Sequence, residues 1–340
     1  MAVNASPHRP LPLTMITAVL LLAFSTPAQG PLRREPAPLQ TWIWELQRVD
    51  GSWLADDPGV EDRGFQPGRS SDDLVVTSLL TLASLGGGVG PRPEMIPLAL
   101  DWIAARPGEM GCLAEPGSRS PVADHALASL ALTEATVLEE GGVPEDRVRA
   151  AVLWLEASAR EAGGWSSKGD ATGALDLRAT AWASLALASA RDAELLEREE
   201  LLAAAAWCAM LEGRERALEP RARAFELTIR LLAGERAQTS DDFARALDEL
   251  LAAPLDDPEL ERDLDPERAY LQSLVAYQCG GRWWQAARQR LRGWIVFSSP
   301  REHWTPEILP GAPGGTLAAY GHWILSAELY YRYSRLIGGR

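Results

Sequence analysis

Trp42-Ile43-Trp44-Glu45-Leu46-Gln47-Arg48-Val49-Asp50-Gly51-Ser52-Trp53 is the stretch that decides how this chain folds. Its frame is Trp, then Ile or Leu, seven residues, Gly, one residue, and Trp or Leu. The frame returns at Trp102-Ile103 with Gly111 and Leu113, and at Trp154-Leu155 with Gly163 and Trp165. Beyond each copy, Leu113 to Asp124 and Trp165 to Asp176 are both steps of eleven residues, while the first copy reaches Asp73 across a Gly/Pro/Ser-rich insert from Asp57 to Ser71. Each Asp precedes a small and apolar run: Leu74 to Leu85, Ala126 to Ala135, Leu177 to Ala190. One repeat is therefore helix, Gly-centred turn, loop, Asp, helix, with a period of about fifty residues.

The second half keeps the rhythm without the signature. Trp207-Cys208 lies in an Ala-rich run that continues past Glu219-Pro220 into Ala222 to Leu232. Ser240 is placed to cap a helix from Asp241 to Ala252, and Asp265-Pro266-Glu267 combines an N-cap, a first-turn Pro and an early acid ahead of a helix to Gln278. Trp294-Ile295, then Glu302-His303-Trp304, a Gly/Pro loop and a helix from Thr316 to about Arg335 complete six helix pairs.

Composition assigns the layers. The second helix of each pair is nearly all Ala, Leu, Thr and Ser, as in Ala179 to Ala186, so it is expected to be buried on every side. The first helices carry charge on one face (Glu45 and Arg48; Arg147, Arg149, Glu156 and Arg160), as an outer layer would. Concentric layers predict an all-α closed barrel of about six helix pairs rather than an open solenoid.

Trp42-Ile43, Gln47, Gly51 and Trp53 resemble the Gln/Trp repeat of squalene-hopene cyclases and related terpenoid cyclases. That superfamily includes the protein prenyltransferase beta subunits, and the resemblance implies an α6/α6 toroid across residues 39–337. Later copies depart from the pattern: Pro107, Ala159 and Ser299 stand for Gln, Leu113 for the last Trp, and Glu302 for Gly. Asp73-x3-Thr77-Ser78 and Asp176-x3-Thr180-Ala181 resemble that family's inner-helix openings. Physically, the Gly supplies a left-handed helix cap and the Trp an apolar plug between pairs, so most of the thirteen Trp are expected to be packing residues.

His8 and Arg9 precede an apolar run from Leu13 to Phe24, with small residues from Ser25 to Gly30. The run is too short to span a bilayer and reads as a signal peptide over residues 1–28, followed by a Pro-rich linker over 29–38. The expectation is export, periplasmic or extracellular, with no stable membrane span after cleavage; an uncleaved N-terminal anchor is the alternative. Acidic residues outnumber basic ones by 47 to 33, for a formal net charge of -14, which argues against a nucleic-acid partner. Lys168 is the only lysine. Cys112, Cys208 and Cys279 have unrelated spacings and read either as one disulfide pair with a spare or as small buried hydrophobes.

The resemblance implies chemistry that the residues do not carry over. Cyclases of the squalene-hopene type protonate an alkene with D-x-D-D, and the nearest string here, Asp263-Leu264-Asp265-Pro266, ends in Pro. Prenyltransferase beta subunits hold zinc with an Asp two residues before a Cys; Met110, Ala206 and Tyr277 occupy those positions. No metal and no cofactor is expected. Polar residues at the inner-helix openings, Asp73, Asp124, His125, Asp176 and Arg178, are candidates for ligand binding, with N-capping as the structural reading of the Asp residues. On the closing helix Tyr320, Trp323, Ala327 and Tyr331 share a face, with His322 and Glu328 off it; Tyr320 and Trp323, with Trp304, either line a pocket or pack the last pair against the first. The expected function is a non-catalytic module binding an apolar small molecule or another protein. The alternative is a diverged terpenoid cyclase or a polysaccharide-active toroid.

Overall fold

The computed structural model describes residues 43–56, 66–86, 94–106, 111–138, 142–215, 217–253, 265–297 and 314–336, with side chains described to 291 and 329 in the last two segments. Residues 1–38, over which a signal peptide and a linker are expected, lie outside these residues, as do Trp42 and Trp304. The described chain is all-α. A short helical turn at 43–45 is followed by α1 (Asp73–Gly86), α2 (Met95–Ala104), α3 (Pro121–Val137), α4 (Glu145–Ala157), α5 (Leu177–Asp192), α6 (Glu200–Glu215), α7 (Pro220–Leu232), α8 (Asp241–Ala252), α9 (Pro266–Cys279), α10 (Gly281–Phe297) and α11 (Gly315–Leu336).

Local chemistry starts these helices where spacing predicts. Asp176 caps α5 by accepting from the Ala179 N–H at 2.9 Å, Ser240 caps α8 through the Phe243 N–H, and Asp265 caps α9 through the Arg268 N–H. The odd-numbered helices are the buried ones: every residue of α3 from Val122 to Ala135 is buried. They pack in order, α1 on α3, α3 on α5, α5 on α7, α7 on α9, α9 on α11, and α11 back on α1. Each even-numbered helix packs on the odd-numbered helices next to it in sequence.

The repeat motif has a consistent physical job. Gly51 and Gly163 have φ of 91° and 96° and sit against the next even-numbered helix: a Cβ on Gly51 would overlap the Leu98 carbonyl, and one on Gly163 would come within 2.8 Å of the Ala204 carbonyl. Two residues on, the buried Trp53 and Trp165 donate their indole N–H to the Ile43 and Leu155 carbonyls, each at 2.8 Å. The backbone N–H groups of the same two Trp donate to Thr77 Oγ1 and Thr180 Oγ1. The motif Trp is thus pinned to both helices of its own pair, besides filling space.

Two expectations are corrected. The helix pattern places Glu156 among the solvent-facing charges of the first helices, yet it is only 3% exposed. Its carboxylate accepts from the Glu197 and Arg198 N–H groups, which would otherwise be unpaired at the turn into α6. Asp124 does not open its helix: α3 begins at Pro121, so Asp124 lies inside the first turn. The position in α3 that matches Thr77 and Thr180 is held by His125, which accepts the Leu113 N–H at Nδ1 (2.9 Å). Counting eleven residues from Leu113 therefore overshoots the helix start by three, because Pro121 begins the helix early.

Candidate functional site

The odd-numbered helices carry ionisable groups at their N-terminal ends. Arg178, Arg221 and Glu267 each lie two residues after an N-cap, Asp176, Glu219 and Asp265 respectively. Equal offsets on consecutive packed helices aim side chains the same way, and the three meet. Glu267 accepts Arg178 Nε at 2.7 Å and the Trp182 indole N–H at 2.7 Å on one oxygen, and an Arg221 guanidinium N–H at 2.5 Å on the other. Arg221 also pairs with Asp265 at 3.3 Å.

Burial alone would favour a neutral carboxyl on Glu267, but the Arg178 and Arg221 charges hold it well below the usual carboxylate range. A buried carboxylate with three donors is satisfied, and it fixes both guanidinium groups in return.

His322 of α11 completes the group. Its ring packs against Trp182 and Tyr270 with centroids 5.9 and 6.3 Å away, and those two rings stack at 6.0 Å. Nδ1 lies 2.9 Å from the Ala318 carbonyl of the same helix, so it carries the proton, while the buried Nε2 has no hydrogen-bond partner among the described residues. Burial lowers the His322 pKa to about 4, aided by Arg178 and Arg221 and opposed by Glu267, so the imidazole is neutral at pH 7.

Asp124 stands beside this group and differs from it. It is 5% exposed and accepts the Ser118 hydroxyl at 2.5 Å. Burial raises its pKa to about 6; Ser118 and Arg178 oppose the shift, and the charges of Asp72 and Glu267 add to it. A carboxyl titrating near neutrality in a buried place is the kind of group that functional sites use.

The predicted site residues divide accordingly. Arg178 and Asp124 are brought near one another. Asp176 is occupied in capping α5. His125 uses both ring nitrogens, since Nε2 also donates to the Ala151 carbonyl at 2.9 Å, and its ring packs on Trp154. Tyr320 and Trp323 are buried, 6% and 2% exposed, while Ala327 of the same predicted face is exposed. Gly321 between them abuts Leu79 of α1.

Sequence spacing alone does not mark Arg221, Glu267, Trp182 or Tyr270 as members of this group, nor the packing of His322 against it. The usable signal was the matching offset of Arg178, Arg221 and Glu267 from their caps. A separate cavity of about 50 Å³ lies at the opposite ends of α3, α5 and α7, lined by Leu130, Glu134, Leu185, Leu231 and Arg236 among others. It holds none of the predicted site residues and has room for little more than water. Among the described residues no three or more His, Cys, Asp or Glu gather as a metal site, and no helix is long and apolar enough to cross a membrane.

No protein-family model, curated protein sequence or solved structure matches the chain.

Proposed function

We propose that this chain is an α6/α6 toroid related to the squalene-cyclase and prenyltransferase repeats, exported, and working as a non-catalytic binding module. The order of helix contacts, which returns from α11 to α1, supports the closed barrel. The observation that carries the functional reading is the Arg178–Glu267–Arg221 group. Where a cyclase or transferase analogue would need free acids or metal ligands, these charges are spent on one another.

A charged centre also favours a polar ligand or a protein partner over an apolar one, because desolvating guanidinium groups against hydrocarbon is costly. Arg178 and Arg221 have side chains 16% and 30% exposed, so the cationic half of the group is in reach of solvent. A native mass spectrum of the purified full chain tests this. A retained polar molecule or co-purified protein is expected, whereas conversion of a linear isoprenoid to a cyclic product would overturn it. Intact mass of the protein made in an exporting host tests the leader, with loss of about 28 residues expected.

A second reading, a diverged enzyme, is favoured by Asp124 alone. It requires a pH–rate profile with an inflection near the pKa of about 6 and its loss in Asp124→Asn.

A further inference from the structure

We propose that the outer face of α6 is the contact of a homodimer, in which two copies pack α6 against α6 antiparallel about Trp207. The sequence of this helix sets it apart from the rest of the outer layer: no charged residue occurs from Leu201 to Leu211. The exposed residues of α8, by contrast, are Asp241, Arg245, Asp248, Glu249 and Ala252, nearly all charged as a solvated face is. Trp207 repeats the register of Trp102 and Trp154 at about fifty residues, but not their surroundings. Arg106 lies over the Trp102 ring and His125 packs on Trp154, whereas Trp207 is 59% exposed, the one exposed Trp among the described residues.

Around Trp207 the exposed residues are arranged symmetrically. Leu211, 37% exposed, and the exposed Ala203 lie four residues to either side, and the exposed Arg214 and Glu200 seven residues to either side. At about 100° per residue all five fall within roughly 40° of one line along the helix, the heptad spacing of a seam between two helices. Glu199 and Glu215 lie roughly 80° to opposite sides of that line and stay clear of it. Glu200 also meets Arg198 at 3.1 Å, an exposed pair that leaves the Glu200 side chain 68% exposed.

Such a stripe is complementary to its own copy turned end to end. A two-fold axis beside Trp207, perpendicular to the helix, sets Trp207 on Trp207, Ala203 against Leu211 and Glu200 against Arg214, and makes each of the last two contacts twice. A parallel pairing would oppose Glu200 to Glu200 and Arg214 to Arg214. Charge therefore selects the second copy and its orientation, and the large Trp beside the small Ala supplies the apolar centre that such contacts need. One helix face per subunit is a small contact, at or below the roughly 1,200 Å² of a standard interface, which makes this a weak, reversible dimer. α6 belongs to the outer layer, packs on α5 and α7, and holds no member of the Arg178, Glu267 and Arg221 group, so the dimer stands or falls apart from the ligand reading.

Sedimentation of the purified full-length chain from about 1 to 300 µM reads the contact directly. The mean mass should climb from monomer towards dimer and no further, since a two-fold contact closes on itself. Trp207→Ala should weaken the association by about tenfold or more. Glu200→Arg and Arg214→Glu should each be monomeric alone, because each opposes like charges twice, yet the two variants mixed one to one should associate, since every pair is then of opposite charge. All three should melt within a few degrees of wild type, as exposed sites allow. A wild type that stays monomeric at the highest concentration, association untouched by Trp207→Ala, or a mixture that behaves like its separate components would overturn the proposal.

Discussion

Two buried ionic groups in this protein are built as opposites. At the C-terminal end of α7, one guanidinium, Arg230, is gathered by carboxylates: Glu226 at 2.6 Å, both oxygens of Glu235 at 2.7 Å, and Asp242 at 3.2 Å. At the helix N-termini, one carboxylate, Glu267, is gathered by cations. The Arg230 group draws on 226 to 242 alone, one helix end, one turn and the first turn of α8. The Glu267 group draws on α5, α7 and α9, with α11 alongside. The first clips neighbours in sequence together, and the second joins elements that only the tertiary fold makes neighbours.

They differ also in escape routes: Glu235 and Asp242 are 29% and 40% exposed, whereas Glu267 is 6% exposed. The same kind of ion pair is thus a hinge clip in one place and a sealed junction in the other.

That contrast sets the order of expected effects. Glu267→Ala should cost on the order of 3–5 kcal/mol, since it strands two guanidinium groups and the Trp182 N–H, measured by chemical denaturation. Arg230→Ala should cost less, about 2–3 kcal/mol, because two of its three partners can turn to water. A larger loss for Arg230→Ala would reverse the comparison.

The pH dependence follows from Asp124, at the edge of the sealed group. Its folded pKa is raised from 3.8 to about 6, so its contribution is full below the unfolded value and is lost as pH rises through about 6. Asp124→Asn should remove that slope and raise stability at pH 8 by at most about 3 kcal/mol. Glu267 acts in the other sense: its folded pKa is lowered, so its stabilisation is present above the unfolded carboxylate value and fades only in acid below it. Melting temperatures from pH 4 to 8 for wild type and Asp124→Asn separate the two. The smallest effect belongs to Asp242→Asn. This half-exposed carboxylate is shared between Arg230 and the exposed Arg245, and its loss should cost under about 1 kcal/mol. A cost equal to that of Arg230→Ala would mean that the clip is as sealed as the junction.

The sequence by itself determined the repeat, the helix order and most helix starts. The Gly51/Trp53 and Gly163/Trp165 frames, the caps Asp176, Ser240 and Asp265, and the all-round apolar runs of α3 and α5 act within a few residues or through periodicity, and so can be read along the chain. Of the candidate site, Arg178 and Asp124 were legible as polar residues at helix openings, although the role of Asp124 was not. A short count could not know that Pro121 starts α3 early and that His125 takes the place of Thr77 and Thr180. Tertiary structure alone decided that Arg178, Arg221 and Glu267 meet, that the His322 ring packs against Trp182 and Tyr270, and that Glu156 is buried. The physical reason is range. A cap or a helix face is set by contacts three or four residues apart, while the charge group depends on helices whose sequence separation carries no information about their distance until they pack.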